Sequence, residues 1–260
     1  MLGIERQQHI TNRIRQNGKV TISELVSLFG VSAETIRKDL LFLEQEGILK
    51  RTHGGAVTGL IHPLSLRKQE RVSQKAELCQ TALSFIREGD TIALDSGSTS
   101  LELAKLLPLH FHSLTVVTHS LEVFHYLSCN SLFRLILCGG SYIREESAFA
   151  GHLTEEAVKR VHTQKVFLFP SGISPETGIT DYLECFIPIQ KAYLDQAEQV
   201  FILADSEKYE HTALIKLDDA RPEYTYITDS NLKDVIYNRF REKNILINRP
   251  QQQKEGSGND

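Results

Sequence analysis

Val31-Ser-Ala-Glu-Thr-Ile-Arg-Lys-Asp-Leu40, with Lys50-Arg-Thr-His-Gly-Gly-Ala56 ten residues further on, is the stretch whose reading decides the N-terminal fold. Immediately before it, Thr21-Ile-Ser-Glu24 has the hydroxyl and carboxylate spacing of a capping box. It predicts a short helix whose Ile22, Leu25, Val26 and Phe29 share one face. Gly30 supplies the left-handed residue that a tight helix stop requires. Ser32 then caps a second helix in which Ile36, Leu40 and Leu43 face the core. Glu34, Arg37, Lys38 and Leu41 point away from it, with Thr35 at the margin. Asp39 lies close to the core side and predicts a partner within the unit, with Arg6 the candidate. Helical propensity runs to Glu46 and Gly47 ends it. Ile48 and Leu49 begin a strand, and Lys50, Arg51 and His53 lead into a Gly54-Gly55 turn.

A capped helix with a charged face is by itself an ordinary surface helix, and Gly-Gly an ordinary turn. The order helix, turn, helix, basic hairpin within residues 1–57 is far more specific. Polar side chains at the start of a second helix are placed to reach base edges and phosphates in a major groove. Ser32, Glu34, Thr35, Arg37 and Lys38, with Lys50, Arg51 and His53 on the wing, are therefore the expected contacts to double-stranded operator DNA. Arg6, Ile10 and Ile14, then Ser32, Thr35, Ile36, Arg37, Lys38, Asp39 and Leu40, stand in the spacing of the DeoR-family signature, which Arg51-Thr-His-Gly-Gly-Ala56 continues. This part of the chain resembles that family. The resemblance implies a winged helix-turn-helix domain of a transcriptional regulator over residues 1–57.

Charge agrees. Residues 1–57 carry eight basic against six acidic side chains, the remainder 21 against 27, within an overall net charge of −4. A basic module on an acidic body fits phosphate contacts made at one end only. The sequence shows no apolar signal region and no stretch near the roughly 20 apolar residues of a membrane span, so the expectation is cytoplasmic, with no membrane partner. Cys79, Cys129, Cys138 and Cys185 are scattered without C-x-x-C pairing and read as buried free thiols. His110 and His112 are the only close histidine pair, in what reads as a polar connector, so no metal site and no cofactor is expected. Residues 58–73, with Pro63 and mixed charge, read as a linker. The terminal stretch 249–260 reads as a disordered tail.

Between 74 and 248 strands alternate with helices. Thr91–Leu94, Leu114–Val117, Phe133–Leu137, Lys165–Phe169, Val200–Ala204 and Tyr224–Ile227 read as buried strands. Residues 74–87, 99–107, 119–128, 153–161 and 186–197 read as amphipathic helices. The fold class is α/β, a small winged helix-turn-helix followed by a larger domain with a mainly parallel sheet covered on both faces. Asp95-Ser-Gly-Ser-Thr-Ser100 follows the first of these strands and opens a helix. A glycine-containing turn at a helix N-terminus presents N–H groups and a positive dipole end suited to a phosphate. The Walker pattern is not present, and a merely well-capped helix is the equally simple alternative.

Asp95-Ser-Gly-Ser-Thr99, Val117-Thr-His-Ser120, Cys138-Gly-Gly140, Ser171-Gly172 with Gly178-Ile-Thr180, and Ala204-Asp-Ser-Glu-Lys208 occur in the order of the DeoR-type C-terminal domain. That domain is related to ribose-5-phosphate isomerase and takes phosphorylated sugars as effectors. The resemblance implies an effector cradle of Asp95, Ser96, Gly97, Ser98, Thr99 and Ser100, with His119 beside it and a cation from Lys208. Three departures stand out. His119 replaces a common Asn, the Pro170–Ile173 segment lacks the carboxylate of the isomerases, and Gln190 stands where Lys is typical. Isomerisation needs a positioned base, and none is evident, so no enzyme activity is expected. The expectation is a homo-oligomeric repressor of a carbohydrate-utilisation operon, responsive to a phosphorylated sugar. The alternatives are a sugar-phosphate isomerase carrying a DNA-binding module, and a DNA-binding protein with a ligand-free body.

Overall fold

The computed structural model describes residues 3–17, 19–46, 48–52, 54–58, 63–129 and 132–250. The chain divides into two units, Met1–Arg67 and Lys68–Asp260.

In the first unit α1 (Gly3–Asn17), β1 (Lys19–Thr21), α2 (Ile22–Phe29) and α3 (Ala33–Gln45) precede the hairpin β2 (Leu49–Thr52) and β3 (Gly55–Thr58). The capping box forms as its spacing dictates: the Thr21 hydroxyl accepts from Glu24 N, and the Glu24 carboxylate accepts from Thr21 N. Gly30 ends α2 at φ 63, and Ser32 caps α3. Ile10, Ile14, Leu25, Ile36, Leu40 and Leu43 pack as one core. Asp39 meets Arg6 at 2.6 Å and also accepts from Gln7, so α3 is tied to α1 by a buried charge pair. The strand β1 carries no periodic signal in three residues, yet it pairs with β3 to give the sheet order β1-β3-β2. Gly47 and His53 lie outside the described residues.

In the stretch expected to be a bare linker, 58–73, residues 59–62 lie outside the description. Past them, Pro63 O accepts from Leu66 N and Arg67 N, starting α4 (Leu64–Arg67) with Leu64 buried. The linker reading is corrected there, because mixed charge masked two leucines that have a core to enter.

The second unit adds α5 (Val72–Leu83), β4 (Thr91–Leu94), α6 (Ser98–His110), β5 (Thr115–Thr118), α7 (Leu121–Ser128) and β6 (Arg134–Leu137). The chain continues through β7 (Ser141–Ile143), β8 (Ala148–Ala150), α8 (His152–Lys159), β9 (Thr163–Leu168), β10 (Gly172–Ser174), β11 (Gly178–Asp181) and α9 (Ile187–Gln196). It closes with β12 (Ala197–Leu203), β13 (Ile215–Asp218), β14 (Thr225–Ile227), α10 (Asp234–Glu242) and β15 (Ile247–Asn248). Seven strands form one sheet in the order β15-β14-β12-β9-β4-β5-β6, with every neighbouring pair parallel. Side chains alternate between its faces, as strand geometry requires. Ala93, Val117, Val166, Leu168 and Ile202 pack with residues of α8, α9 and α10. Ile92, Leu94, Val116, Phe167 and Leu203 pack with α5, α6 and α7.

The six stretches read as strands all contribute to this sheet. The two-stranded sheet β7–β8 and the three-stranded sheet β10-β11-β13, together with α10 and β15, lie outside the stretches read as strands and helices. Cys79 and Cys138 are buried, whereas Cys129 and Cys185 are exposed, correcting the reading of all four as buried thiols. Arg249 donates to Leu232 O, pairs with Asp234 and lies 4.5 Å over the Tyr237 ring, so the tail reading fails at that residue. Residues 251–260 lie outside the description. Among the described residues no helix is long and apolar enough to cross a membrane.

The two wing glycines differ in what surrounds them. A Cβ on Gly55 would sit 2.0 Å from Val20 O and 2.8 Å from Thr21 Cα, because β1 presses its backbone against β3; a Cβ on Gly54 would meet nothing within 4 Å. Gly55→Ala is therefore expected to destabilise the first unit by about 1–3 kcal/mol, whereas Gly54→Ala should leave it within about 0.5 kcal/mol. Urea unfolding of the full chain measures both, and equal effects would show that β1 does not constrain the wing.

Candidate functional site

The outer face of α3 is built as its periodicity requires. Glu34, Arg37, Lys38 and Leu41 are exposed and Ile36, Asp39, Leu40 and Leu43 buried. Not every expected contact presents an uncommitted group. The Ser32 hydroxyl accepts from Thr35 N at 3.1 Å and lies 2.9 Å from the Thr35 hydroxyl, so both serve the helix cap. Arg37 Nη1 lies 3.4 Å from Glu34 Oε2 with both side chains exposed, a pair that solvent and phosphate readily compete for. Arg51, on the wing, gives both its backbone N–H and its Nε to Glu44. Between helix and wing a cavity of about 430 Å³ is lined by Arg37, Glu44, Arg51 and Thr52, with Ile22, Leu40 and Gly55 closing it. The structure describes the backbone of Lys50 but not its side chain, and His53 lies outside the described residues.

The second constellation lies where the sheet changes direction. The chain steps from β4 outward to β5 and β6, then returns to β9 on the other side of β4. A crevice opens beyond the carboxyl ends of strands at such a switch point. Asp95 follows β4 there, and its N–H donates to Phe167 O of β9. Its carboxylate, 1% exposed, meets His119 Nε2 at 2.9 Å and accepts from Gln190 Nε2 at 3.0 Å. The same Gln190 amide donates to Asp181 Oδ2 at 2.9 Å, and Asp181 Oδ1 accepts from the Ser171 hydroxyl and from Tyr182 N. His119 Nδ1 lies 2.7 Å from Phe149 O; a carbonyl only accepts, so Nδ1 carries a proton. The Nε2 contact with Asp95 then holds a second proton, on ring or carboxyl, and the polar chain is closed at both ends.

This arrangement corrects the expected cradle. Asp95 faces inward as an anchor for His119 and Gln190. Ser98, Thr99 and Ser100 form the first turn of α6, one residue before the expected helix start at 99, and Ser100 spends its hydroxyl on Asp95 O at 2.5 Å. The helix also runs past its expected end, through Pro108, to His110, so His110 lies in a helix and not in a connector. Gly97, at φ 128, begins α6 with no side-chain cap, and a Cβ there would meet nothing within 4 Å. Open room thus lies beside an uncapped helix N-terminus, the geometry an anion uses. Lys208 Nζ donates to Pro170 O at 2.7 Å, just past β9 on the same side.

Two cations escaped the sequence reading because they fall in the stretch taken for a linker or at its edge. Arg71, left-handed at φ 49, pairs with Asp205 and Glu207 at 3.1 Å each. Lys75 is buried, and desolvation, reinforced by the Lys208 and Arg71 charges, pushes it down to about 8. One turn along α5, Cys79 Sγ touches Thr99 O, which places Lys75 beside the first turn of α6. Asp181 was missed for another reason: ten residues separate it from Ser171, and only the β10–β11 pairing joins them.

Residues 6–59 match the DeoR-like helix-turn-helix domain and residues 70–230 the DeoR C terminal sensor domain. The L-fucose operon activator of Haemophilus influenzae is 33% identical over 93% of this chain and 98% of its own length. The lactose phosphotransferase system repressor of Lactococcus lactis is 29% identical over 93% of this chain and 97% of its own. A D-ribose-5-phosphate isomerase in complex with phospho-erythronic acid superposes on 53% of this chain and 54% of its own at 15% identity, with a TM-score of 0.40, a loose likeness. The chain belongs to the DeoR family of helix-turn-helix transcriptional regulators, with a C-terminal sensor domain.

Removing the Asp95 carboxyl group leaves His119 Nε2 and a Gln190 amide N–H without their partner inside the protein. Asp95→Ala should lower the stability of the second unit by about 3–5 kcal/mol, well beyond an average buried substitution. Denaturant unfolding followed by near-ultraviolet dichroism tests this. A loss below about 1 kcal/mol would mean that the polar chain is not a structural anchor.

Proposed function

We propose that this regulator represses a carbohydrate-utilisation operon, and that a phosphorylated sugar bound in the second unit relieves the repression. The observation that carries the ligand reading is the uncapped start of α6 beside Gly97 at the β4/β9 switch point, with Lys75 on the adjacent α5 near enough to Lys208 for their charges to interact. Backbone N–H groups of Ser98 to Ser100 and the two ammonium groups suit a phosphate. The Ser96 and Thr99 hydroxyls of the same turn would offer polar partners to a polyol.

Repression is the sense of action of one relative named above and activation of the other. The repressor reading follows the more usual behaviour of the family. Arg37 and Lys38 on α3, with Arg51, Lys50 and His53 on the wing, are the proposed operator contacts, carried by a homo-oligomer that spans paired half-sites. Control by a ligand requires that it bind the two states of the regulator unequally. Linkage then makes the operator weaken effector binding by the same factor. An isomerase role has no comparable support, since Asp181, which Gln190 links to Asp95, is held by Ser171, Tyr182 N and Gln190.

A thermal-shift screen of the purified chain against hexose and pentose phosphates should find a stabilising ligand that is not turned over. Turnover of any of them would make the protein an enzyme and overturn the sensor reading. Because Lys75 must be protonated to hold an anion, affinity for the best ligand should fall as pH rises from 7 to 9 through about 8. The unliganded protein should move the opposite way. Its folded Lys75 lies below the 10.5 of an unperturbed lysine, so the unfolded chain binds more protons in that window and stability rises with pH. Flat affinity across the window would remove Lys75 from the site. On the DNA side, Arg37→Ala should weaken operator binding about tenfold or more without altering the melting curve.

A further inference from the structure

We propose that Glu44 is a positioning residue for DNA recognition: it holds Arg51, and with it the wing, in the orientation that presents the guanidinium to the duplex. The proposal rests on the DNA-binding reading above and adds to it a role for an acidic residue on a face where acid would ordinarily be unfavourable.

The geometry is specific. β2 is an edge strand, because the sheet order is β1-β3-β2. Arg51 stands opposite Ala56 of β3, and its N–H turns away from β3 to meet Glu44 Oε1 at 2.8 Å. The other carboxylate oxygen, Oε2, accepts from Arg51 Nε at 2.6 Å. One carboxylate in the last turn of α3 therefore fixes both the main chain and the side chain of a wing residue. Pairing through Nε leaves the two terminal amines of Arg51 as the outward part of the planar fork, the part that meets phosphate or guanine bidentately. Among the described residues those amines have no protein partner. Glu44 and Arg51 line the same cavity between α3 and the wing as Arg37 and Thr52, so the held fork borders the face that Arg37 shares.

Charge alone makes the opposite prediction. Deleting a carboxylate beside a polyanion should tighten binding, whereas deleting a positioning group should weaken it. The probe is a duplex enriched from a random-sequence pool by the full-length wild-type protein, with affinity measured at fixed salt. Glu44→Ala is expected to weaken binding about tenfold, while Glu44→Gln, which keeps an acceptor for the Arg51 N–H, should stay within about threefold of wild type. In an Arg51→Ala background, Glu44→Ala should have little further effect, since coupled residues do not add. Melting curves identify any variant that loses its fold, and Glu44→Gln preserves the test if Glu44→Ala does so. Unchanged or tighter binding by Glu44→Ala, equal tightening by Glu44→Gln, or full additivity with Arg51→Ala would overturn the proposal. If the wild-type protein enriches no sequence, the DNA-binding reading beneath it fails instead.

Discussion

The Asp95 carboxylate is the constraint around which the second unit is organised. A parallel sheet buried on both faces leaves its polar chemistry only at the strand ends, and Asp95 sits at the end of β4, beside the central β9. It faces His119 after β5 and Gln190 on α9, while its N–H is tied to β9. Through His119 the connection reaches Phe149 of β8, and through Gln190 it reaches Asp181 and Ser171. An ionisable group this deeply buried persists only with its hydrogen bonds met. The strand ends are therefore locked relative to one another before any ligand arrives. A ligand that displaced one member would act on several elements together.

The first unit uses a different economy. Its three-helix core is small, so orientation comes from local devices: a capping box at Thr21, a left-handed stop at Gly30, the Ser32 cap and the Arg6–Asp39 pair. Burying an ion pair is weak evidence for stability, because desolvation offsets much of the attraction. Its value here is register, since Asp39 lies on the inward side of α3 and fixes which face turns outward.

Legibility in the sequence followed the range of the interaction. Caps and helix faces depend on residues three or four apart, and Thr21, Gly30, Ser32 and the α3 stripe could be read directly. Arg6 with Asp39 was also readable, because both belong to the motif that resembles the family. The long strands declared themselves as apolar runs. β1, β7, β8 and β15 did not, since two or three residues carry no period. The site was legible as a location, Asp95–Ser100, but not as a mechanism. Nothing local says that Asp95 turns inward to meet His119 and Gln190, or that Ser171 finds its carboxylate at Asp181. Lys75 falls in the stretch 74–87 read as an amphipathic helix, and nothing local says that its ammonium is buried near Lys208 and Asp205.

The recognition face carries a further lesson about charge. Residues 1–57 hold only two more basic than acidic side chains, a small surplus for a module that meets a phosphate backbone. Two of the acids, Glu34 and Glu44, lie against the arginines on which binding would rest, Arg37 and Arg51. The two pairs are not equivalent. Arg37 and Glu34 are joined by a single 3.4 Å contact between two exposed side chains, which holds neither firmly. Arg51 and Glu44 share two bonds, one to the main chain, with the pair partly shielded. The first pair trims net charge and constrains Arg37 little; the second orders a long side chain in advance. Ordering a side chain before binding reduces the entropy lost on association. A modest positive field that limits non-specific attraction to DNA can therefore coexist with firm contact at a cognate site.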